Sequence, residues 1–170
     1  MNYGIAVFPD KEVQNFANNY RKRYDPHYSL IPPHLTIREA EPWTEDKLEA
    51  AIAHLDQATR QIAPFTIRFN RFSTFFPVNN VIYMALEDPE PFRFMREQIC
   101  RDVLEQPLMF YNYTPHLTVG QKMSSDELHD VYAHLRKMEI DFTTSVDRVH
   151  LLRQNGNNVW KVLQTFFLRG

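Results

Sequence analysis

Pro33-His34-Leu35-Thr36-Ile37 and Pro115-His116-Leu117-Thr118-Val119 are one phrase written twice. In each copy the polar residues His and Thr alternate with apolar Leu and Ile or Val. On an extended strand this sets His and Thr on one face, about 6.6 Å apart, and the apolar pair on the other. A half-buried edge strand with a solvated polar side shows the same alternation. Two identical Pro-His-Leu-Thr runs in a chain with only 7 histidines ask for more than that.

The surroundings of the two phrases also repeat. Phe69-Asn70-Arg71-Phe72 and Val146-Asp147-Arg148-Val149 each break an apolar alternation, which suggests a bulge or bend. Asn79-Asn80-Val81 and Asn157-Asn158-Val159 each follow as a turn leading into a strand. The interval between matching features is 82 residues at the histidines and 77 at the phase breaks, so the second helical region is the shorter by five. Each half reads as His-x-Thr strand, helix, bent strand, turn, strand.

The elements around these halves follow from periodicity and punctuation. Residues 3–8 read as a strand, and Asp10 as the cap of a helix to about residue 24 with Val13, Phe16, Ala17 and Tyr20 inward. Thr44 caps a second helix carrying Leu48, Ile52, Leu55, Thr59 and Ile62, which Pro64 stops. Residues 89–106 read as a third helix. Ser124-Ser125-Asp126-Glu127 is a capping box opening a fourth. Asn155-Gly156-Asn157-Asn158 is a hairpin turn.

The expected architecture is α+β. It has two pseudo-symmetric lobes, each an antiparallel sheet with flanking helices, with the active-site cleft between them. The whole chain 1–170 forms one domain, its first half roughly 30–88 and its second roughly 112–168. Equivalent strands would then face one another, and the two His-Thr faces would share the cleft.

Composition bounds the function. At 44% hydrophobic and 24% charged residues the chain is an ordinary globular protein, and a formal charge of -2 gives it no general hold on long duplex nucleic acid. A small phosphorylated ligand needs only a local basic cleft. Cys100 is the single cysteine, which excludes an intramolecular disulfide and a cysteine-rich metal site. Residues 1–10 carry no basic leader and too short an apolar run for a signal peptide, and no stretch reaches membrane-span length. The expectation is a reduced, cytoplasmic protein with no membrane partner; the sequence leaves its oligomeric state open.

Two imidazoles across one cleft can act as general base and general acid near neutral pH. The two threonine hydroxyls supply neutral donors to the same space. Together they can activate a water or hydroxyl, hold the non-bridging oxygens of a phosphodiester and protonate the leaving oxygen. This scheme needs no metal and no cofactor.

On these residues the chain resembles the two-histidine (2H) phosphoesterase superfamily, whose signature is two H-x-[ST]-h motifs, and within it the small bacterial YjcG-like branch. The resemblance spans nearly the whole chain, and the family includes RNA 2′,3′-cyclic phosphodiesterases and 2′-5′ RNA ligase-like proteins. It implies His34 as proton donor, His116 as proton acceptor, and Thr36 and Thr118 as substrate-binding donors to phosphate oxygens. The implied substrate is a small phosphorylated nucleotide or RNA end, with hydrolysis of a cyclic phosphate or 2′-linked phosphodiester as the reaction. Alternatives are the reverse 2′-5′ ligation or a non-catalytic module that binds a nucleotide or RNA end.

The remaining candidates have plainer readings. His27, His54, His129, His134 and His150 have no partner pattern and read as surface or structural residues. Phe75, Phe76, Tyr111, Tyr113 and Trp160 could stack a base at the cleft, with core packing the default. Arg21-Lys22-Arg23 reads as a solvated helix end, and Cys100 as a buried thiol. Arg38, just beyond the first phrase, is expected to face away from the His-Thr side.

Overall fold

The apolar side of each phrase anchors the fold. Leu35 and Leu117 are 0% exposed, Ile37 and Val119 1%, and all four belong to one large core. The computed structural model describes residues 1–106 and 113–170. Its elements are β1 (Asn2–Val7), α1 (Lys11–Tyr24), β2 (Leu35–Pro42), α2 (Glu45–Thr59), β3 (Phe65–Thr74), β4 (Ile82–Leu86), α3 (Glu90–Ile99), β5 (His116–Gly120), α4 (Ser125–Leu135), β6 (Phe142–Val146), β7 (Arg148–Gln154) and β8 (Trp160–Phe167). The fold is α+β.

All eight strands join one antiparallel sheet in the order β6-β3-β4-β5-β2-β1-β7-β8. Only Asp147 separates β6 from β7, yet β6 is an edge strand and β7 lies next to the opposite edge. Consecutive Cα atoms are about 3.8 Å apart, so the sheet curls until its two ends nearly meet. The two phase breaks therefore differ in kind. The one at Asn70 is a bulge, with the β3–β4 register shifting between Phe69 and Arg71. The one at Asp147 is where the chain leaves one end of the sheet for the other.

Strand pairing also departs from the expected half-by-half lobes. The β3–β4 hairpin, which follows the first phrase, lies beside the second phrase's strand β5. The β7–β8 hairpin of the second half lies beside β1. Periodicity records which residues are extended and which face is apolar. It does not record the edge that a strand joins, because that pairing is non-local.

At mid-sheet, β2 and β5 share a single registered pair, Leu35 with Leu117. Beyond it, side chains take the backbone acceptors of β2: Tyr113 Oη donates to the Thr36 carbonyl at 2.6 Å, and Arg96 Nε to that of Ile37 at 3.1 Å. The motif strands touch once and separate, and polar side chains brace the gap.

The helix ends follow local chemistry in part. Thr44 and Ser124 accept from the amides of Lys47 and Glu127. Asp10 stands at the N-cap of α1 but makes no side-chain cap bond. The third helix stops at Ile99, short of the expected residue 106. A turn of 3₁₀ helix, Asp102–Leu104, follows, with Asp102 at φ 52°. The turn brings the carbonyls of Leu104 and Glu105 to the guanidinium of Arg38, which satisfies them as acceptors. No described helix is long and apolar enough to cross a membrane.

Candidate active site

The polar side of the two phrases opens on a cavity of about 290 Å³ lined by His34, Thr36, His116 and Thr118. Gly4, Ile5 and Ala6 of β1 also line it, with Asp25, His27, Arg38, Glu39, Gln121 and Trp160. All four expected site residues thus meet in one place, because β2 and β5 are neighbours with their apolar faces turned to the same core.

The two histidines are held alike. His34 Nδ1 lies 2.9 Å from the Pro32 carbonyl and His116 Nδ1 2.8 Å from the Thr114 carbonyl, each two residues upstream. A carbonyl only accepts, so each Nδ1 carries the proton, and in the neutral ring Nε2 keeps its lone pair for the cavity. Phe75 and Tyr83 pack edge-on against His116, with centroids at 4.9 and 5.5 Å.

Both rings are pushed toward their neutral form. Burial is the main cause at His34 and, with the nearby Arg21 and His116, takes it down to about 4 against a partial pull from the Pro32 carbonyl and Asp25. Burial also lowers His116, opposed by its bond to Thr114 and by the Glu39 carboxylate. At His34 the Arg21 cation outweighs the Asp25 carboxylate and works against protonation, whereas at His116 the Glu39 carboxylate works for it.

Arg38 is a correction. It shares the parity of His34 and Thr36 and lines the cavity with them, contrary to the expectation that it faces away. It is 2% exposed, and its Nε and Nη2 donate to the Leu104 and Glu105 carbonyls at 2.9 and 3.2 Å. Its Nη1 stands 2.8 Å from Glu41 Oε1, near enough to pair charges but off the line of a hydrogen bond. Burial alone would raise the Glu41 carboxyl; hydrogen bonds from Trp43 and Lys47 and the adjacent Arg38 charge carry it down to about 2.

Arg21 is a second correction. Lys22 and Arg23 are exposed as a helix end should be, but Arg21 is 2% exposed. It pairs with Asp25 at 3.3 Å and bonds Asn18 Oδ1 and the Ile31 carbonyl. Arg21 and Asp25 thereby brace the segment between α1 and β2 that leads to the first phrase.

The other candidates divide cleanly. Trp160 lines the cavity. Tyr113 sits below the motif strand, with Arg96 over its ring at 4.4 Å, and burial raises its phenol pKa. Phe75 stacks on Tyr83, Phe76 packs on His129, and Tyr111 lies outside the described residues. His54 bonds the Ile99 carbonyl at the end of α3, and His150 bonds Thr165, both structural roles. Cys100 is half-buried, its thiol pushed up by burial. His27 is the exception, since it lines the cavity; so do Asp25, Glu39 and Gln121, which sequence reasoning missed. For Arg38 the parity was a usable signal, whereas nothing local marked His27.

Comparison with known proteins gives the chain a family and a shared fold. The family model of the 2′-5′ RNA ligase superfamily matches residues 9–158. A Bacillus licheniformis protein bearing a phosphoesterase name is 44% identical over 168 residues, 99% of each chain. Among solved structures, TT0787 of Thermus thermophilus superposes with a TM-score of 0.69 at 22% identity, covering 100% of this chain and 99% of that one. E. coli LigT complexed with 3′-AMP superposes at 0.70 and 15% identity, covering 99% and 98%. With 150 of its 170 residues spanned by the family model and a relative at this identity over its whole length, the chain belongs to the 2′-5′ RNA ligase superfamily, the two-histidine phosphoesterases.

Proposed function

We propose that this chain is a phosphoesterase that opens a 2′,3′-cyclic phosphate, or cleaves a small 2′-linked phosphodiester, by general acid-base catalysis between His34 and His116. The observation that carries the reading is the matched pair of imidazoles. Both are fixed by Nδ1–H to a backbone carbonyl, and both keep Nε2 for one cavity that also holds the Thr36 and Thr118 side chains. The two four-stranded sections of the curled sheet act as pseudo-equivalent halves of the cleft, each giving one His and one Thr.

In the hydrolytic direction His116 takes a proton from the attacking water as its oxygen bonds to phosphorus. The bond to the departing ribose oxygen breaks, and His34 protonates that oxygen. The threonine hydroxyls donate to the non-bridging oxygens, where charge accumulates. Glu39 near His116 favours the base, and Arg21 near His34 makes its imidazolium a ready donor. The substrate's own negative charge raises both histidines on binding, so the acid acquires its proton in the complex. The structural relative that holds 3′-AMP supports a nucleotide-sized ligand. The one cysteine suits the reducing cytoplasm.

The superfamily's name favours ligation, the reverse of cleaving a 2′-5′ linkage, as a second reading: one histidine would deprotonate a 5′-hydroxyl as it bonds to the phosphorus of a 2′,3′-cyclic phosphate, and the other would protonate the departing 3′-oxygen. A panel of cyclic nucleotides and cyclic-ended RNAs, assayed with chelator present, tests both. Turnover of some member, lost in His34→Ala and in His116→Ala, is expected. Turnover surviving both substitutions would overturn the mechanism, and tight binding without turnover would leave a binding module.

A further inference from the structure

A third histidine stands in the cleft with the opposite proton arrangement. Gly120 ends β5 where a side chain would crowd the Tyr24 Cβ, its would-be Cβ lying 3.1 Å away. This close approach lets the Gln121 amide donate to the Tyr24 carbonyl at 3.0 Å and brings Gln121 against the end of α1. There its side-chain nitrogen lies 2.8 Å from Asp25 Oδ1 and 3.2 Å from His27 Nδ1.

The carboxylate fixes the polarity of the whole cluster. Asp25 is paired with Arg21 and also accepts the His27 amide, so its oxygens are acceptors and the Gln121 atom facing them is the NH₂ group. The same NH₂ then points its second hydrogen at His27 Nδ1, which has to accept it. In the neutral ring the proton therefore sits on Nε2. His27 and Gln121 both line the cavity, and His27 Nε2 has no partner among the described residues. His34 and His116 offer lone pairs, whereas His27 offers a fixed N–H.

We propose that His27 is a binding residue of this site, set by Gln121 and Asp25 to donate Nε2–H to a phosphate oxygen of the substrate, and that it takes no part in proton transfer. This rests on the phosphoesterase reading of the cleft. A donor is what an anionic oxygen needs, and a ring whose other nitrogen is occupied by an N–H cannot relay a proton through it. The donor holds its place because Arg21 Nη2 ties down the Ile31 carbonyl at 2.7 Å and the Trp160 amide ties down that of Leu30 at 2.9 Å.

The decisive measurement is long-range ¹H–¹⁵N correlation of the imidazoles at a pH where all are neutral, with His27 assigned by its loss in His27→Ala. The expected spectrum has His27 as the Nε2–H tautomer and His34 and His116 as Nδ1–H. Added inorganic phosphate should shift the His27 Nε2–H signal together with those of His34 and His116. In kinetics His27→Ala should raise KM about 10- to 100-fold, the range for losing a hydrogen bond to a charged group. Its kcat and both limbs of the pH profile should stay as they were. His27→Gln, which keeps an N–H near the position of Nε2, should recover most of the loss.

An Nδ1–H tautomer at His27 would overturn the proposal. So would phosphate shifts confined to His34 and His116, or a His27→Ala profile that loses a limb. If phosphate moves none of the three rings, the reading of the cleft fails and this inference falls with it. If phosphate moves all three while no panel member is turned over, the proposed activity fails and the donor role stands.

Discussion

His34 and His116 are anchored identically, each giving its Nδ1 proton to the carbonyl two residues before it, at 2.9 and 2.8 Å. Both are also less basic than a free imidazole, mainly through burial. The productive free enzyme has one ring protonated and the other neutral, so both limbs of the kcat/KM profile follow these lowered values. With His34 near 4 and His116 below 6.5, the bell should peak on the acid side of 6.5 and fall through neutrality. The anionic substrate raises both rings in the complex, so the kcat bell should lie at higher pH than the kcat/KM bell. Initial rates across pH check this, and a kcat/KM optimum on the alkaline side of neutrality would refute it.

The same depression makes stability depend on pH. Above about 6.5 His34 is neutral in both the folded and unfolded states and contributes no slope. As pH falls from 6.5 toward 4, the unfolded chain takes up a proton that the native ring refuses, so native stability is lost across that window. At about 1.4 kcal/mol per pH unit, the loss approaches roughly 3 kcal/mol by pH 4. Urea unfolding of wild type and His34→Gln should diverge over this range, with the variant losing less. Parallel curves would show that His34 carries no such linkage.

Thr36 and Thr118 line the cavity from the same face as their histidines. Thr36→Val and Thr118→Val keep the β-branched shape that the strand favours and remove only the hydroxyl. Each should lower kcat by about 10²–10³, the usual loss for one oxyanion donor, and the double variant more. Thermal unfolding should move little. A full-rate Thr36→Val enzyme would take the phosphate-holding role away from that side chain.

These four side chains were legible because a strand's two-residue period sorts polar from apolar, and because the same short pattern recurs. The α+β class and most helix spans followed from the same periodicities. The route of the chain was not legible, since β6 and β7 are one residue apart in sequence yet stand near opposite ends of the strand order. The 102–104 turn after Ile99 was hidden for a related reason: the groups that hold its end are distant in sequence, the Arg38 guanidinium taking the Leu104 and Glu105 carbonyls. His27 escaped because its partners, Asp25 and Gln121, are 96 positions apart from each other.

Arg38 yields a prediction about packing. Its planar fork reaches two carbonyls and the edge of Glu41 at once, which a lysine ammonium cannot match. Arg38→Lys leaves at least one of those acceptors without its bond, at a cost of about 1–3 kcal/mol. Denaturant midpoints measure it. Arg38→Lys with wild-type stability would show that the 102–104 turn holds without the guanidinium.

Asp25→Asn should cost more, about 3–5 kcal/mol, because it leaves the buried Arg21 charge without its counter-ion. Removing the charge too, in Arg21→Met with Asp25→Asn, should restore part of the loss, and the double-mutant cycle gives the coupling. Strict additivity of the two substitutions would mean that the pair contributes nothing as a pair.

Tyr113 tests the brace beneath the first motif. Its hydroxyl donates to the Thr36 carbonyl at 2.6 Å, just past the point where β2 and β5 stop pairing. Tyr113→Phe keeps the ring under Arg96 and deletes only that bond. The Thr36 carbonyl loses its side-chain partner, a cost of about 1–3 kcal/mol in unfolding free energy. The strand carrying His34 and Thr36 is then free to shift, and a displacement well under 1 Å is enough to lower kcat roughly tenfold. KM should change less than kcat, because the side chains that face the substrate are all still present. A variant that loses stability at full kcat would separate the brace from the chemistry. One that keeps its stability would show that β2 holds its place without the Tyr113 bond.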